Sequence, residues 1–228
     1  MRLTILRRSL LPLALVSLCF LDVAPSVGAT ADGSVSGQIQ VVKGGKGVSD
    51  HSKVVVYLEG VPASANAAKR KHVIKQRNVQ FAPQLSVIVK GTTVDFPNED
   101  KIFHNVFSAS RAARFDLGLY RSGASKSVDF KRAGVVDVFC NIHPEMISRV
   151  LVVPTHHYAI TDASGKFRID GVPPGTYPAV VWHPSGNEVR QQIQIQPGKA
   201  AALTAKVEEG EMKKEHRRKD GSPYGRYE

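Results

Sequence analysis

The chain has 228 residues, a formal net charge of +11 and only two cysteines. This length is enough for one large domain or two small ones. A basic balance of this size is compatible with a nucleic acid, an anionic lipid or an acidic protein as partner. The sequence contains no nucleic-acid-binding motif, so we expect no nucleic acid partner.

Residues 1–29 have the features of a cleaved signal peptide. Three arginines lie within the first eight residues, residues 10–21 (LLPLALVSLCFL) are apolar, and Val27-Gly28-Ala29 follow. The apolar run is shorter than the roughly 20 residues that span a bilayer, which favours a signal peptide over a membrane anchor or a buried helix. Cys19 lies in this run, but Leu18 before it suits a bacterial lipobox poorly. We therefore expect a periplasmic or otherwise exported protein with no membrane span in the mature chain, and we favour a cleaved signal peptide over the alternative of a lipoprotein anchored at Cys19.

Once residues 1–29 are removed, Cys140 is the only cysteine. In an oxidising compartment, cysteines usually occur in even numbers and form disulfides. A single thiol there is explained by an intermolecular disulfide, an inert buried thiol, a reactive nucleophile or a metal ligand. The residues around Cys140 favour the metal ligand.

After residue 30 the sequence is typical of an all-β protein. Short runs rich in valine, isoleucine, tyrosine and phenylalanine alternate with clusters of glycine, proline, asparagine and aspartate, as in β-sandwiches and barrels. A short helix or a linker is predicted at 64–71, and the charged residues 207–228 are predicted to be a disordered tail. The predicted strands are 35–42, 53–59, 85–89, 92–96, 127–130, 135–140, 147–153, 166–169, 179–182 and 189–195.

Residues 140–146 (CNIHPEM) bring together three potential metal ligands: Cys140, His143 and Met146. Pro144 disfavours a helix and predicts a compact loop. His104 supplies a fourth ligand if the connection that carries it lies beside this loop. Two imidazoles and one thiolate with a weak axial methionine form the copper set of electron-transfer proteins. Structural zinc prefers a closed Cys/His site, and hard cations prefer oxygen.

Each of these residues also has a plainer interpretation. Cys140 and His143 can form a nucleophile–base pair, although no third orienting group is evident. Met146 can be core filler, and a single histidine such as His104 is more often structural than a ligand. Their conjunction favours one copper ion held by His104, Cys140, His143 and Met146.

Three stretches together resemble the cupredoxins, the small blue (type 1) copper proteins: residues 89–98 (VKGTTVDFPN), His104-Asn105-Val106 and Cys140-x-x-His143-x-x-Met146. The spacing of the last stretch is similar to that of amicyanin-like members, which have the shortest of the common ligand loops. The resemblance covers about residues 73–153. It implies a Greek-key β-sandwich with copper at one end, a buried first histidine, and a second histidine whose ring edge is the electron exit.

The resemblance also bears on two asparagines near the ligands. It implies that the side chain of Asn105 ties the two ligand regions together. Asn141 departs from the serine or threonine that relatives often have after the cysteine. This departure concerns the hydrogen bonds to the cysteine sulfur, which help to set the potential, rather than the ligand set.

Two further stretches, 33–39 and 54–60, resemble the opening strands of a carboxypeptidase-regulatory-like, transthyretin-like β-sandwich, and residues 159–182 resemble its continuation. The resemblance implies a discontinuous domain, with the cupredoxin domain inserted at a loop. Alternatively, residues 35–60 supply the first strands of the cupredoxin. The domain boundaries predicted for the discontinuous arrangement are 30–65 with 155–206, and 73–153 for the insertion.

Two other sets of residues are open to two interpretations. Three histidines are candidates for another metal site, but their spacing does not require convergence, so we favour linker and strand-edge histidines: His156, His157 and His183. Three arginines between the ligand regions either surround the copper or are merely solvated: Arg111, Arg114 and Arg121.

We expect an electron carrier rather than an enzyme, because a single copper needs a preorganised site and an exposed ligand edge but no substrate pocket. The expected partner is an acidic redox protein, such as a cytochrome or a periplasmic dehydrogenase, since some amicyanin-like proteins serve amine oxidation. The alternative is a copper storage, delivery or sensing protein whose second module recognises a partner or a carbohydrate. The methionine-rich and histidine-rich tracts typical of copper delivery do not occur in the sequence, which favours the electron carrier.

Overall fold

The computed structural model describes residues 31–62, 71–211 and 216–224. These residues form strands and no helix, which confirms the all-β prediction, and among them no helix is long and apolar enough to cross a membrane. The predicted signal peptide and residues 64–70 of the predicted helix or linker lie outside the described residues. The strands are β1 (Gly33–Lys43), β2 (Lys46–Gly47), β3 (Val55–Leu58), β4 (Lys71–Val73), β5 (Lys75–Gln76), β6 (Phe81–Ala82), β7 (Leu85–Val89), β8 (Thr93–Pro97), β9 (His104–Ala109), β10 (Arg114–Tyr120), β11 (Ser125–Asp129), β12 (Gly134–Phe139), β13 (Ile147–Val153), β14 (Tyr158–Ile160), β15 (Lys166–Val172), β16 (Gly175–Trp182), β17 (Glu188–Ile195) and β18 (Ala200–Glu208).

The first and last parts of the chain build one sandwich, which we call the host sandwich (residues 33–58 and 158–208). Its sheets have the strand orders β15-β1-β18, with β2 paired to β1, and β14-β3-β16-β17. Alternating side chains such as Val35, Ile39 and Val41 fill its core. β1 and β18 run parallel and approach so closely that a Cβ on Gly37 would lie 1.8 Å from the carbonyl oxygen of Leu203, so only glycine fits there.

Residues 71–153 build a second sandwich, which we call the inserted sandwich. One sheet has the order β10-β9-β12-β13-β7 and the other β11-β8-β4, and β5 and β6 form a separate short pair. The chain crosses between the two sheets from β7 to β8, from β8 to β9, from β10 to β11 and from β11 to β12, which is Greek-key connectivity. The apolar core includes Phe96 and Phe130 and also Cys140 and Met146.

The inserted sandwich interrupts the host sandwich between β3 and β14. These two strands are neighbours in one host sheet, with Tyr57 opposite Tyr158. All four residues of β3 are buried, because one face packs into the host core while Val55 and Tyr57 pack with Leu151 and Val153 of the inserted sandwich. Among the described residues, β1 and β3 pair only with host strands, so residues 35–60 add no strand to the inserted sheets.

Two strands lie where the sequence predicted only a connection between the ligand regions. β9 lacks a two-residue pattern because its first five residues are all buried, including the polar His104, Asn105 and Ser108. β10 alternates only in part, because a bulge lies between Asp116 and Leu119. β9 carries the first predicted ligand, so the missed strands belong to the framework of the candidate site.

The C-terminal residues differ from the disordered tail predicted from residue 207. β18 ends at Glu208, and residues 216–224 form a turn that packs on the inserted sandwich. Gly221 adopts a φ of 84°, and the carboxylate of Asp220 accepts hydrogen bonds from the backbone N–H and the hydroxyl of Ser222. The prediction rested on a charged, glycine-containing composition that is poor in aliphatic residues, and it did not consider this turn or the aromatic side chains beside it.

Candidate metal centre

The predicted ligand residues lie at one end of the inserted sandwich. His104 is the first residue of β9, and Cys140 directly follows β12. β9 and β12 are neighbouring antiparallel strands, so the start of one lies beside the end of the other. His143 and Met146 belong to the ligand loop, residues 140–146, which joins β12 to β13.

Backbone hydrogen bonds close the ligand loop on itself. The N–H of Cys140 donates to the carbonyl of Met146 at 3.3 Å, and the N–H of Met146 donates to the carbonyl of His143 at 3.2 Å. Pro144 has no N–H to donate and disfavours a helical conformation of the residue before it. The loop is therefore compact, as Pro144 predicts, and its side chains are held at fixed positions.

Three of the four predicted ligands bring their donor atoms together. The Nδ1 atoms of His104 and His143 are 3.2 Å apart, and the Sγ of Cys140 is 3.9 Å from the first and 3.6 Å from the second. A circle through three atoms at these separations has a radius of about 2.1 Å, which is close to metal–nitrogen and metal–sulfur bond lengths of roughly 2.0–2.3 Å. The arrangement can therefore hold a metal ion between the three donors without moving the strands.

Met146 lies in the same buried cluster as Cys140 and has no exposed surface. Its backbone carbonyl accepts the hydrogen bond from the Cys140 N–H that closes the ligand loop, so the residue lies next to the cysteine. A thioether is a soft, weak ligand. The residues present thus fit a metal that accepts two imidazoles, one thiolate and a weak sulfur donor.

Asp100, which the sequence analysis did not single out, orients His104. Its carboxylate lies 2.8 Å from Nε2 of His104 and accepts hydrogen bonds from the backbone N–H groups of Asn78 and Val79. A histidine that binds a metal through one ring nitrogen usually donates the other N–H to a carboxylate or carbonyl. Asp100 fixes the ring with Nδ1 turned towards Cys140. Its position four residues before His104 is the only trace of this role in the sequence.

The pKa shifts of Cys140 and His143 favour the forms that bind metals, whereas that of His104 is set by its two hydrogen-bonded neighbours. Burial alone would raise the pKa of the Cys140 thiol, but hydrogen bonds from His104 and from backbone N–H groups, including that of Asn105, hold it below its usual value. Burial and the neighbouring His104 lower the pKa of His143, which favours its neutral imidazole form. Burial acts in the same direction on His104, but its contacts with Cys140 and Asp100 raise its pKa overall. A thiolate and a neutral imidazole are the forms that bind metals.

Asn105 takes a different part from the one that the family resemblance implied. Its side-chain Nδ2 donates to Asp116 on β10 at 2.7 Å rather than to the ligand loop. The link to the loop is instead made by the backbone, since the N–H of Asn105 donates to the sulfur of Cys140. The asparagine therefore fastens β9 to β10, and its peptide group supports the thiolate.

The remaining candidate residues do not join the three donors. Tyr120 at the end of β10 is opposite His104, so Arg121 lies beside the ligand end. Arg114 is opposite Ala109, about 17 Å away along β9 at roughly 3.4 Å per residue, so the arginines do not surround the site as a group. Within the described part of the chain, the histidines of the other proposed set make separate contacts: His157 with the Gly171 carbonyl and His183 with Ser185.

Comparisons with known proteins give partial matches. Residues 147–208 match the family model of the carboxypeptidase regulatory-like domain, and no curated protein matches the sequence. A Cu(I) structure of an amicyanin mutant is 23% identical and covers 44% of this chain and 99% of its own, with a TM-score of 0.35. A reduced structure of another amicyanin mutant is 24% identical and covers 44% and 99%, also with a TM-score of 0.35. A copper-containing nitrite reductase from Thermus scotoductus SA-01 is 23% identical and covers 40% of this chain and 25% of its own, again at 0.35. The metal assignment below therefore depends on the geometry of the site.

Proposed function

We propose that the chain binds one copper ion as a mononuclear type 1 centre, which His104, Cys140 and His143 would hold as strong ligands and Met146 as a weak one. The observation that carries this proposal is the point at about 2.1 Å from all three donor atoms. Two imidazoles and one thiolate with a distant thioether suit copper. Zinc also binds cysteine and histidine, but its structural sites take four strong ligands, and methionine is a poor fourth.

The proposed role is the transfer of single electrons, and copper supplies the one-electron chemistry when it is bound. His104, Cys140 and Met146 have no exposed surface, whereas His143 is partly exposed. This burial supports a carrier rather than an enzyme, because a substrate has little access to a metal held among these side chains. The edge of His143 is the proposed point of electron entry and exit. The closed ligand loop and Asp100 keep the donors in place, which supports fast transfer because little has to move.

We also propose that this centre works outside the cytoplasm with an acidic redox protein, such as a cytochrome or a dehydrogenase. The signal-peptide features of residues 1–29 support this proposal, as does the formal net charge of +9 that the chain keeps once they are removed. Exposed apolar side chains lie beside the ligands as well: Phe103 precedes His104 in the chain, and Leu119 is opposite Asn105. An apolar contact with charged surroundings favours a short-lived complex between redox partners.

The test is copper loading of the wild-type protein and of Cys140→Ser, followed by absorption spectroscopy and cyclic voltammetry. We expect an intense visible thiolate-to-copper band and a reversible one-electron wave in the wild type, and no such band in Cys140→Ser. His157→Gln serves as a control, because His157 contacts a backbone carbonyl in the host sandwich and should leave the band unchanged. A colourless copper-loaded wild type would contradict the proposal. A coloured protein without a reversible wave would favour storage or delivery.

A further inference from the structure

The C-terminal segment of residues 216–224 contacts the three consecutive residues centred on the cysteine of the candidate site. The ring of His216 stacks on Phe139 with centroids 4.3 Å apart and planes inclined by 13°. The hydroxyl of Tyr224 donates to the carbonyl of Cys140 at 2.6 Å. The backbone N–H of Lys219 donates to the side-chain oxygen of Asn141 at 2.8 Å. We call this segment the C-terminal clasp.

Contacts within the clasp hold His216 and Tyr224 beside the Cys140 carbonyl. Its turn at Gly221 brings the two aromatic side chains together, with the Tyr224 hydroxyl 2.7 Å from Nε2 of His216. His216 Nε2 also lies 3.2 Å from the Cys140 carbonyl. One proton arrangement satisfies the group: Tyr224 donates to the carbonyl, and the N–H of His216 donates to the phenol oxygen. Arg218 lies over the Tyr224 ring, with its guanidinium carbon 5.4 Å from the centroid.

The clasp also reaches the strand that carries the first histidine. The ammonium group of Lys219 is 2.6 Å from a carboxylate oxygen of Asp116. The other oxygen of Asp116 accepts the hydrogen bond from Asn105, the residue after His104. A single segment is therefore connected to the residues that flank both Cys140 and His104.

We propose that the C-terminal clasp positions the Cys140 thiolate, with Tyr224 and Lys219 as positioning residues. The backbone on either side of Cys140 can rotate only if Phe139, the Cys140 carbonyl or Asn141 moves, and the clasp holds all three. The clasp connects the C-terminal end of the host sandwich to the candidate metal site. It also gives Asn141 a role, since its side chain anchors the clasp. The inference rests on the proposed function in one respect, that Cys140 is a metal ligand.

The first experiment needs no metal. In the metal-free protein, alkylation of Cys140 by iodoacetamide requires a local opening, because the side chain is fully buried. A hydrogen bond typically changes such an opening equilibrium by about three- to tenfold, so Tyr224→Phe should speed alkylation by about that factor. A chain ending at Gly210, which lacks the whole clasp, should react faster still. Tyr177→Phe is the matched control, because Tyr177 lies in the host sandwich and should leave the rate unchanged.

The second experiment uses the copper-loaded full chain. Tyr224→Phe and Lys219→Gln should each shift the thiolate-to-copper band and the reduction potential, and Lys219→Arg should restore the wild-type values because it keeps the ion pair with Asp116. If the clasp only added stability, Tyr224→Phe and Lys219→Gln would lower the melting temperature but leave the band and the potential unchanged.

The outcomes separate this inference from the proposed function. If the wild type shows no copper band, the proposed function fails, but the alkylation rates still decide whether the clasp holds Cys140. If the alkylation rates of Tyr224→Phe and of the shortened chain stay within about twofold of the wild-type rate, the inference that the clasp positions Cys140 is overturned, whatever the copper result. A band and a potential that do not change in either point variant would overturn it as well.

Discussion

Replacing Asp100 by asparagine tests whether the carboxylate beside His104 sets the metal affinity of the site. Asp100 accepts hydrogen bonds from His104 at 2.8 Å and from the N–H groups of Asn78 and Val79 at 2.6 and 2.9 Å. The introduced amide is neutral and has one acceptor oxygen in place of two. Hydrogen bonds to charged groups contribute about 1.5–3 kcal/mol and neutral ones about half of that, so we expect a loss of about 1–2 kcal/mol. The affinity should therefore fall about tenfold, since about 1.4 kcal/mol corresponds to a factor of ten.

The affinity of Asp100→Asn is measured by competition for Cu(II) with a chromogenic chelator. Asp129→Asn is the matched control, because Asp129 also accepts a side-chain hydrogen bond, from Thr93 at 2.7 Å, but lies on β11 in the other sheet. The control should bind copper like the wild type. Unchanged affinity in Asp100→Asn would refute the reasoning, and an equal loss in both variants would show that net charge alone is responsible.

Three further predictions concern the axial ligand, acid stability and docking. Met146→Leu should keep the colour and raise the potential measured by voltammetry, because loss of a weak donor disfavours Cu(II), and should cost less than about 1.5 kcal/mol of stability because it conserves volume. Partial burial would raise the pKa of Asp116, but hydrogen bonds from Lys219, the Gly118 N–H and Asn105 outweigh it and lower the pKa to about 2. This folded-state pKa lies below the usual value of 3.8, so the stabilisation is present above about pH 4 and is lost as the pH falls towards 2. The deficit of Asp116→Asn in urea unfolding should shrink over that range, and a constant deficit would contradict the assignment. Arg121→Gln should weaken salt-dependent electron transfer with an acidic partner more than its control Arg114→Gln, and equal effects would exclude local steering.

The parts of the fold and site that the sequence predicts are those encoded locally. Residues 140–146 place Cys140, His143 and Met146 within one short loop, so their proximity follows from chain connectivity alone. The alternation and turn residues of the other strands likewise predict an all-β chain. The sequence pattern does not predict β9. The strand is buried on both faces and contains the polar His104 and Asn105, so apolar and polar residues do not alternate along it.

Contacts between distant residues account for what the sequence does not predict. In the sequence, nothing distinguishes Asp100 from other acidic loop residues. Its role follows from the fold, which places its carboxylate beside Nε2 of His104. The clasp lies about 80 residues after the cysteine that it contacts, and its composition resembles that of a solvated tail. Its turn residues Asp220 and Gly221 are a recognisable signal for local order, but nothing in the sequence specifies the surface on which Tyr224 packs.

The insertion has a consequence for the order in which the protein folds. β3 and β14 pair through Tyr57 and Tyr158, and about a hundred residues separate the two in the chain. Closing so long a loop from an unfolded chain is slow and entropically costly, since non-local pairing delays folding. If residues 71–153 have already folded, Lys71 pairs with Thr93 and Val153 pairs with Val89. Val89 and Thr93 flank one tight turn, in which the Thr92 N–H donates to the Val89 carbonyl at 3.0 Å, so the two ends lie near each other and the loop left to close is much shorter. The inserted sandwich should therefore fold first, and the host sheet should assemble around its ends as a late, dependent step.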